Sequence, residues 1–280
     1  MSNPGEVAER LRRSTVRIHS QGNGSGVIWS SDGTIVTNAH VVRGAGASVE
    51  LWDGARHEAR VVARHPRRDL AIIRSGASGL PAAAIGDANA LRPGNLVLAV
   101  GNPLGFAGAV STGTVHGLGP VRGLGNQIWL RANVRLAPGN SGGPLANASG
   151  QVVGINTAVA AGGIGLAVPT EAVRRFIKMG PESVSLGVSI HATPMRLDQR
   201  DAVGLVVLEV TPGSAADRAS LMPGDVLIGT AERWFSTSDD LGVLLDSGMP
   251  SLRLRFLRGE RRRWREVVVQ LRPTTQQVAA

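Results

Sequence analysis

Residues 138–156 read PGNSGGPLANASGQVVGIN, and this stretch decides the fold class. A glycine-rich turn is followed by a short apolar segment, a hairpin signal at 148–151 and the strand candidate Val152–Asn156. The same alternation of short apolar runs with Gly, Asp, Asn and Pro covers residues 15–168. It is typical of a β-barrel or β-sandwich. The strands predicted before this stretch are Thr15–His19, Gly26–Trp29, Thr34–Thr37, Ala47–Trp52, Leu70–Arg74, Leu96–Val100 and Ile128–Ala132.

The pattern changes at Pro169, where a helix is predicted over Thr170–Lys178 and ended by Gly180. Beyond it, five strand candidates enclose two helix candidates, which indicates a small α+β module. The chain is predicted to be mostly β, with domains at 1–179 and 185–273, a linker at 180–184 and a flexible tail at 274–280. The later elements are the strands Leu186–Ile190, Leu205–Val210, Val226–Thr230, Leu252–Leu257 and Glu266–Leu271, and the helices Ser214–Ala219 and Ser238–Asp246.

The composition excludes several kinds of site. None of the 280 residues is cysteine, so the chain has no disulfide, thiolate metal site or cysteine nucleophile. Five of the six histidines lack partners at metal-ligand spacing, so neither a metal nor another cofactor is predicted. These five are His19, His57, His65, His116 and His191.

The net charge of +9 comes almost entirely from arginine, since Lys178 is the only lysine. The densest basic run, Arg258–Arg265, lies between the last two strand candidates. We interpret it as a solvated hairpin turn, because no basic cluster is interleaved with aromatic residues as a base-stacking surface would be. Specific nucleic-acid binding is therefore not expected.

The N-terminal segment Met1–Arg10 has no apolar stretch and no small-residue cleavage site, so no signal peptide is predicted. No run of about 18 apolar residues occurs, so no transmembrane segment is expected. The sequence as written favours a cytoplasmic location. A periplasmic or other extracytoplasmic location follows if a leader has been removed.

Gly139-Asn140-Ser141-Gly142-Gly143 is the sharpest chemical feature. A serine hydroxyl becomes a good nucleophile when a base accepts its proton. Flanking glycines allow a tight turn, let a substrate carbonyl approach, and leave backbone N–H groups directed at a developing oxyanion. The alternative is a glycine-rich turn with an incidental serine.

Two further residues complete a candidate triad. His40 follows one strand candidate and Asp69 precedes another, and each taken singly is more typical of a strand end or turn. The order His40, Asp69, Ser141 is a known triad order, in which histidine takes the serine proton and aspartate orients the imidazole. The nucleophile elbow of an α/β-hydrolase needs an Asp and then a His after the serine in the sequence. His191, in the second module, is the only histidine after Ser141.

The candidate triad and the glycine-rich turn belong to a set of sequence blocks. Together these blocks resemble the HtrA family of trypsin-like serine proteases. The resemblance implies a two-barrel chymotrypsin-like domain and ATP-independent cleavage of unfolded or damaged proteins in protein quality control. It also implies an oxyanion hole from the backbone N–H groups of Gly139, Asn140 and Ser141, and it suggests a homotrimer. The matching blocks are Gly24–Ile28, Thr34–Val42, Asp69–Ile73, Gly101–Gly105, Gly139–Leu145, Gly154–Ala158 and Gly165–Pro169.

The C-terminal module resembles the PDZ domain that follows the protease in this family. The matching segments are Ser185–Val188, Thr211–Ala216 and Leu221–Ile228. PDZ domains capture the C-terminal carboxylate of a peptide with a loop of backbone N–H groups, and the peptide adds a strand to a sheet edge. By position, Leu186, Gly187 and Val188 form this loop. The alternative is a module that only packs on the protease or mediates assembly.

The segment before the candidate nucleophile departs from the family pattern. Asn133 stands where relatives often carry an acid, and Arg135 lies near the expected base of the S1 pocket. Arg135, Leu136 and Val159 are the candidate pocket residues, and we expect small or medium aliphatic side chains at P1. A second function stays open at this point: a non-catalytic or resting-state chaperone or peptide-binding protein that uses the PDZ domain.

Overall fold

A computed structural model describes residues 3–20, 22–121, 124, 127–179, 185–197, 199–245, 247, 249–259 and 263–271. The chain divides into two compact units, the first made of residues 1–121 and 127–182 and the second of 122–126 and 183–280. The predicted linker and the predicted tail lie outside the described residues. Within the described ranges, no helix has the length and apolarity needed to cross a membrane.

The first unit contains two closed β-barrels of six strands each. The first barrel consists of β1 (Thr15–His19), β2 (Asn23–Ile28), β3 (Thr34–Thr37), β4 (Gly46–Glu50), β5 (Arg56–His65) and β6 (Leu70–Ser75). The second consists of β7 (Leu96–Gly101), β8 (Ala109–Gly119), β9 (Trp129–Ala132), β10 (Pro144–Asn147), β11 (Val152–Val159) and β12 (Gly165–Pro169). The strands neighbour one another in the orders β1-β2-β3-β6-β5-β4 and β10-β11-β12-β9-β8-β7. The predicted two-barrel fold is confirmed.

Two helices pack on the barrels. In α1 (Pro4–Arg13), the Asn3 side chain accepts a hydrogen bond from Gly5 N–H and caps the helix, while Val7 and Leu11 face inward. The second helix, α2 (Thr170–Met179), buries Val173 and Phe176. These four side chains belong to one apolar cluster that also takes residues from strands of both barrels. Burial of this cluster holds the barrels together and fixes the cleft between them.

The second unit is a five-stranded antiparallel sheet with strands ordered β13-β14-β15-β16-β17. Its helices, α3 (Ala215–Arg218) and α4 (Asp240–Leu245), contribute Ala215, Ala216, Leu241 and Leu245 to the unit's own core. The strands are β13 (Val188–Leu197), β14 (Arg200–Val210), β15 (Val226–Thr230), β16 (Ser251–Leu257) and β17 (Arg265–Gln270). The predicted α+β composition of this module agrees with these elements.

One premise about the basic run is wrong. The guanidinium of Arg255 lies 5.1 Å from the ring centroid of Trp234 and 4.4 Å from that of Trp264. It also donates to Glu266 at 2.9 Å. Arginine and aromatic side chains are therefore interleaved here, because the loop after β15 pairs Trp234 with Gly229, which lies opposite Arg255 on β16.

Candidate active site

His40 and Asp69 meet because the end of β3 lies beside the start of β6. These strands are antiparallel neighbours, with Thr37 opposite Ala71, so residues just beyond Thr37 and just before Leu70 share one end of the barrel. Asp69 adopts a left-handed conformation with φ of 52°, an uncommon one for a residue other than glycine. Its backbone is held in this conformation by Asn38, whose Nδ2 donates to the Asp69 carbonyl at 2.8 Å.

The Asp69 carboxylate accepts hydrogen bonds from three groups. His40 Nδ1 lies 2.7 Å from Oδ2 and 2.9 Å from Oδ1, and the backbone N–H of His40 donates to Oδ1 at 3.0 Å. The hydroxyl of Thr157, on β11 of the second barrel, donates to Oδ2. A carboxylate at Nδ1 selects the tautomer that carries its proton there, so Nε2 of His40 is left as the basic nitrogen.

Ser141 lies in the second barrel, in the tight turn that leads into β10. Gly139 and Gly142 have φ angles of 104° and 85°, so both occupy the region that favours glycine. A Cβ on Gly139 would lie 2.4 Å from the Asn102 carbonyl oxygen, and one on Gly142 would lie 2.0 Å from that of Ser25. The glycines are therefore required by close backbone approach as well as by φ.

Two of the three predicted oxyanion-hole amides are free to act. Asn140 N–H donates to the Ala137 carbonyl at 3.0 Å, the i to i+3 bond of the turn, so this amide is engaged. The amides of Gly139 and Ser141 have no hydrogen-bond partner among the described residues. The geometry therefore favours Gly139 and Ser141 over Asn140 as oxyanion donors.

The Ser141 hydroxyl donates to the carbonyl oxygen of Thr157 at 3.0 Å. Among the described residues this is its one hydrogen bond, so it does not donate to His40 here. Catalytic hydrogen bonds are often long or misaligned before substrate binds. A rotation of the Ser141 side chain away from Thr157 is therefore needed before His40 can accept its proton.

The candidate pocket residues differ in exposure and in contacts. Val159 is about half exposed at 49% and pairs with Gly165 across β11 and β12. Leu136 is half-buried, and its Cδ1 would lie 3.2 Å from a Cβ on Gly165. Leu136 and Val159 thus flank Gly165, whereas the Arg135 side chain is exposed and its carbonyl accepts from Ser111 Oγ at 2.8 Å.

In the second unit, the predicted carboxylate-binding loop leads into the edge strand β13. Leu186 is buried in the core, and its carbonyl accepts from Ala216 N–H at 2.9 Å. Gly187 has φ of 76° and donates its N–H to Ser185 Oγ at 3.0 Å. Val188 begins β13 and lies opposite Val210. The loop amides therefore precede an open sheet edge, as peptide addition requires.

Sequence reasoning missed Thr157 as part of this site. Its hydroxyl contacts the Asp69 carboxylate and its carbonyl contacts the Ser141 hydroxyl, so it touches two members of the candidate triad. The residue lies in Gly154–Ala158, one of the segments that carried the family resemblance, but nothing in the order or spacing of the three triad residues points to it.

Comparison with known proteins identifies the family of the first unit's fold. Residues 24–155 match the family model of the trypsin-like peptidase domain. A solved structure of the HtrA-type protease AlgW with a decapeptide has a TM-score of 0.73 and 26% identity, covering 97% of this chain and 99% of that one. HhoA of Synechocystis sp., a putative serine protease, is 33% identical over 270 residues, which span 86% of this chain and 68% of HhoA.

This chain belongs to the HtrA family. HhoB of Synechocystis sp., another putative serine protease, is 35% identical to this chain over 246 residues, which span 79% of this chain. The chain spans 59% of HhoB and half of the DegP-like periplasmic endoprotease of Chlamydia trachomatis. The candidate triad and oxyanion turn of this HtrA chain lie within the matched peptidase region.

Proposed function

We propose that this chain is an ATP-independent serine endopeptidase that cleaves unfolded or damaged proteins. The observation that carries the proposal is the Asp69 carboxylate on His40 Nδ1, with Thr157 in contact with both Asp69 and the Ser141 hydroxyl. Membership of a protease family and the match to the peptidase-domain model support the same activity. The reaction as proposed uses side chains and backbone amides of the chain itself.

The chemistry follows from the proton positions. Ser141 rotates towards His40, Nε2 takes its proton, and Oγ forms a bond to the scissile carbonyl carbon. The carbonyl oxygen becomes an oxyanion that accepts from the Gly139 and Ser141 amides, and Asp69 stabilises the imidazolium. His40 then gives the proton to the amine nitrogen as the C–N bond breaks. Water, deprotonated by His40, hydrolyses the acyl-enzyme and regenerates the Ser141 hydroxyl.

We further propose that the S1 pocket accepts small or medium aliphatic side chains. The flanking of Gly165 by Leu136 and Val159 favours apolar contacts, and the exposed Arg135 adds a positive charge near the expected pocket base. Peptides that differ only at P1 test this proposal. Highest kcat/KM with Val, Ala or Leu is expected, and a preference for Lys or Arg would contradict it.

For the second unit, we propose a PDZ-like role in binding peptide C-termini through Leu186, Gly187 and Val188. The left-handed Gly187 and the position of β13 at the edge of the sheet support it. A fluorescent peptide with a free C-terminal carboxylate should bind more tightly than the same peptide amidated. Equal affinity for the two would exclude carboxylate capture.

The assembly is proposed to be a homotrimer, on the strength of family membership alone. Light scattering of the purified chain measures this directly, and a monomer at working concentration would remove the proposal. The protease proposal does not depend on this result.

The deciding experiment compares cleavage of an unfolded protein substrate by the natural chain and by Ser141→Ala. We expect cleavage by the first and none above background by the second. Equal rates would show that Ser141 is not the nucleophile. No cleavage by either protein would favour the non-catalytic peptide-binding alternative.

A further inference from the structure

The oxyanion turn is anchored by a serine from the opposite barrel. Ser25, on β2, donates its backbone N–H to the Ser141 carbonyl at 2.8 Å and its hydroxyl to the Gly139 carbonyl at 2.7 Å. It is fully buried, with 0% of its surface exposed. One residue therefore holds two carbonyls of the turn, on either side of Asn140.

The two anchored carbonyls restrict the backbone of the turn around the Gly139 and Ser141 amides. The peptide groups that begin at Gly139 and Ser141 are held through their oxygens, and the peptide group that carries the Ser141 N–H lies between them. The carbonyl of that middle group, Asn140 O, accepts from Gly143 N–H at 3.0 Å, so all three consecutive peptide groups are held through their oxygens. These bonds restrict the peptide plane that carries the Ser141 amide and the carbonyl of the residue that carries the Gly139 amide.

The neighbours of Ser25 leave one acceptor for its hydroxyl hydrogen. Asn102 donates to Ser25 Oγ twice, from its backbone N–H at 2.9 Å and from its side-chain Nδ2 at 3.0 Å. The Asn102 amide is itself oriented, because Oδ1 accepts from Gly108 N–H at 2.9 Å and Nδ2 donates to Val16 O at 3.1 Å. With two donors on Oγ, the hydroxyl hydrogen goes to the Gly139 carbonyl, the one acceptor beside it in the described chain.

The main chain of Ser25 is also held. Its carbonyl accepts from the Thr37 hydroxyl at 2.7 Å, on the strand that leads to His40. Gly142 packs directly against the same carbonyl, with no room for a Cβ between them. Ser25 is therefore tied both to the strand that presents the base and to the turn that presents the nucleophile.

We propose that Ser25, oriented by Asn102, is a positioning residue that holds the Gly139 and Ser141 amides in the geometry of an oxyanion hole. This inference rests on the proposed function. Ser25 contacts neither the substrate nor the reacting atoms. It acts on the transition state through the turn, and it leaves the His40–Asp69 pair untouched.

The test uses Ser25→Ala in the full chain, with peptide substrates. Loss of one oxyanion donor costs about 10²–10³ in kcat, so a loosened hole should lower kcat by about 10- to 100-fold with KM nearly unchanged. The midpoints of the pH profile of kcat/KM should stay in place, because the triad contacts are intact. The Ki of a peptide aldehyde, which forms a tetrahedral adduct, should rise by the factor that kcat/KM falls.

Two controls separate positioning from damage to the fold. Ser75→Ala removes another buried serine hydroxyl, one that donates to Gly33 O at 3.5 Å at the far end of β6, and it should keep full activity. Ser25→Cys keeps the size of the side chain but supplies a weak donor, and it carries the test if Ser25→Ala does not fold. Its kcat should also fall while its thermal unfolding stays close to that of the natural chain.

The outcomes are distinct. Suppose that Ser141→Ala is inactive while a folded Ser25 variant keeps kcat within about twofold of the natural chain, or shows a raised KM with an unchanged kcat. The positioning role is then wrong, and the protease assignment stands. A loss in Ser75→Ala equal to that in Ser25→Ala also overturns it, since general weakening of the barrel would explain both. If the natural chain and Ser141→Ala behave alike, the proposed function itself fails.

Discussion

Replacement of Asp69 by asparagine should stop the reaction without moving the site. The backbone N–H of His40, 3.0 Å from Oδ1, is a fixed donor, so the amide oxygen of the new residue takes that position. The NH₂ group then replaces Oδ2 and faces His40 Nδ1, which lies 2.7 Å away. To accept this hydrogen bond, the imidazole must shift its proton to Nε2, and it can no longer receive the proton of Ser141.

The expected loss is about 10⁴-fold in kcat, the size found when a triad aspartate is replaced in this way. That factor corresponds to about 5.5 kcal/mol of transition-state stabilisation. Peptide hydrolysis near neutral pH measures it, with Ser141→Ala as background. Asp53→Asn is the matched control, because within the described part of the chain Asp53 accepts only from Ala55 N–H, in an exposed turn, and asparagine can do the same. If a folded Asp69→Asn stays within tenfold of the natural chain, the assigned tautomer is wrong.

Three further outcomes follow from particular contacts. Arg258→Ala should destabilise the second unit by about 3 kcal/mol in urea unfolding, because it removes a bidentate partner from Asp225, which is 1% exposed; an unchanged midpoint would contradict this. Gly142→Ala should abolish peptide cleavage, whereas Gly54→Ala, with a similar φ of 87° but nothing within 4 Å, should retain it; equal activities would refute the steric argument. Burial opposes ionisation of Asp240, but two backbone amides, a serine hydroxyl and an arginine outweigh it and hold its pKa below the ordinary 3.8. The contribution of Asp240 to the free energy of unfolding is therefore complete above about pH 4 and is lost as pH falls below that value. Asp240→Asn should therefore reduce the fall in stability at acid pH. An unchanged fall would contradict this prediction.

Two of the strands that the sequence predicted best lie in the first barrel. Thr15–His19 and Thr34–Thr37 agree with β1 and β3 residue for residue, since their apolar side chains enter the first barrel. Three strands in the second barrel and one in the first were missed. These are β5, β8, β10 and β12. β5 and β8 are rich in polar residues or glycine and lack a clear apolar pattern. β10 and β12 are short buried strands that begin or end at a proline, a residue that argues against a strand.

The candidate site divides in the same way. The three candidate triad residues could be predicted from the sequence, because His40 and Asp69 adjoin predicted strands and Ser141 lies in a glycine-rich turn. The hydrogen bond from Asn140 N–H to the Ala137 carbonyl could not be predicted from the sequence, because it depends on the conformation of the turn. The contact of Trp234 with Arg255 could not be predicted either, because it requires the loop after β15 to return and pair Trp234 with Gly229, the residue opposite Arg255.

The candidate triad has members in both barrels, so its geometry depends on bonds that cross from one barrel to the other. Thr157 of the second barrel donates to Asp69 of the first, and Ser25 of the first donates to the Ser141 carbonyl of the second. These bonds run in opposite directions across the same cleft, and each ends on a member of the triad. A barrel that folded correctly by itself would still lack one partner of each bond. Sequence patterns describe the strands within each barrel, which is why they located the three residues but not the contacts that align them.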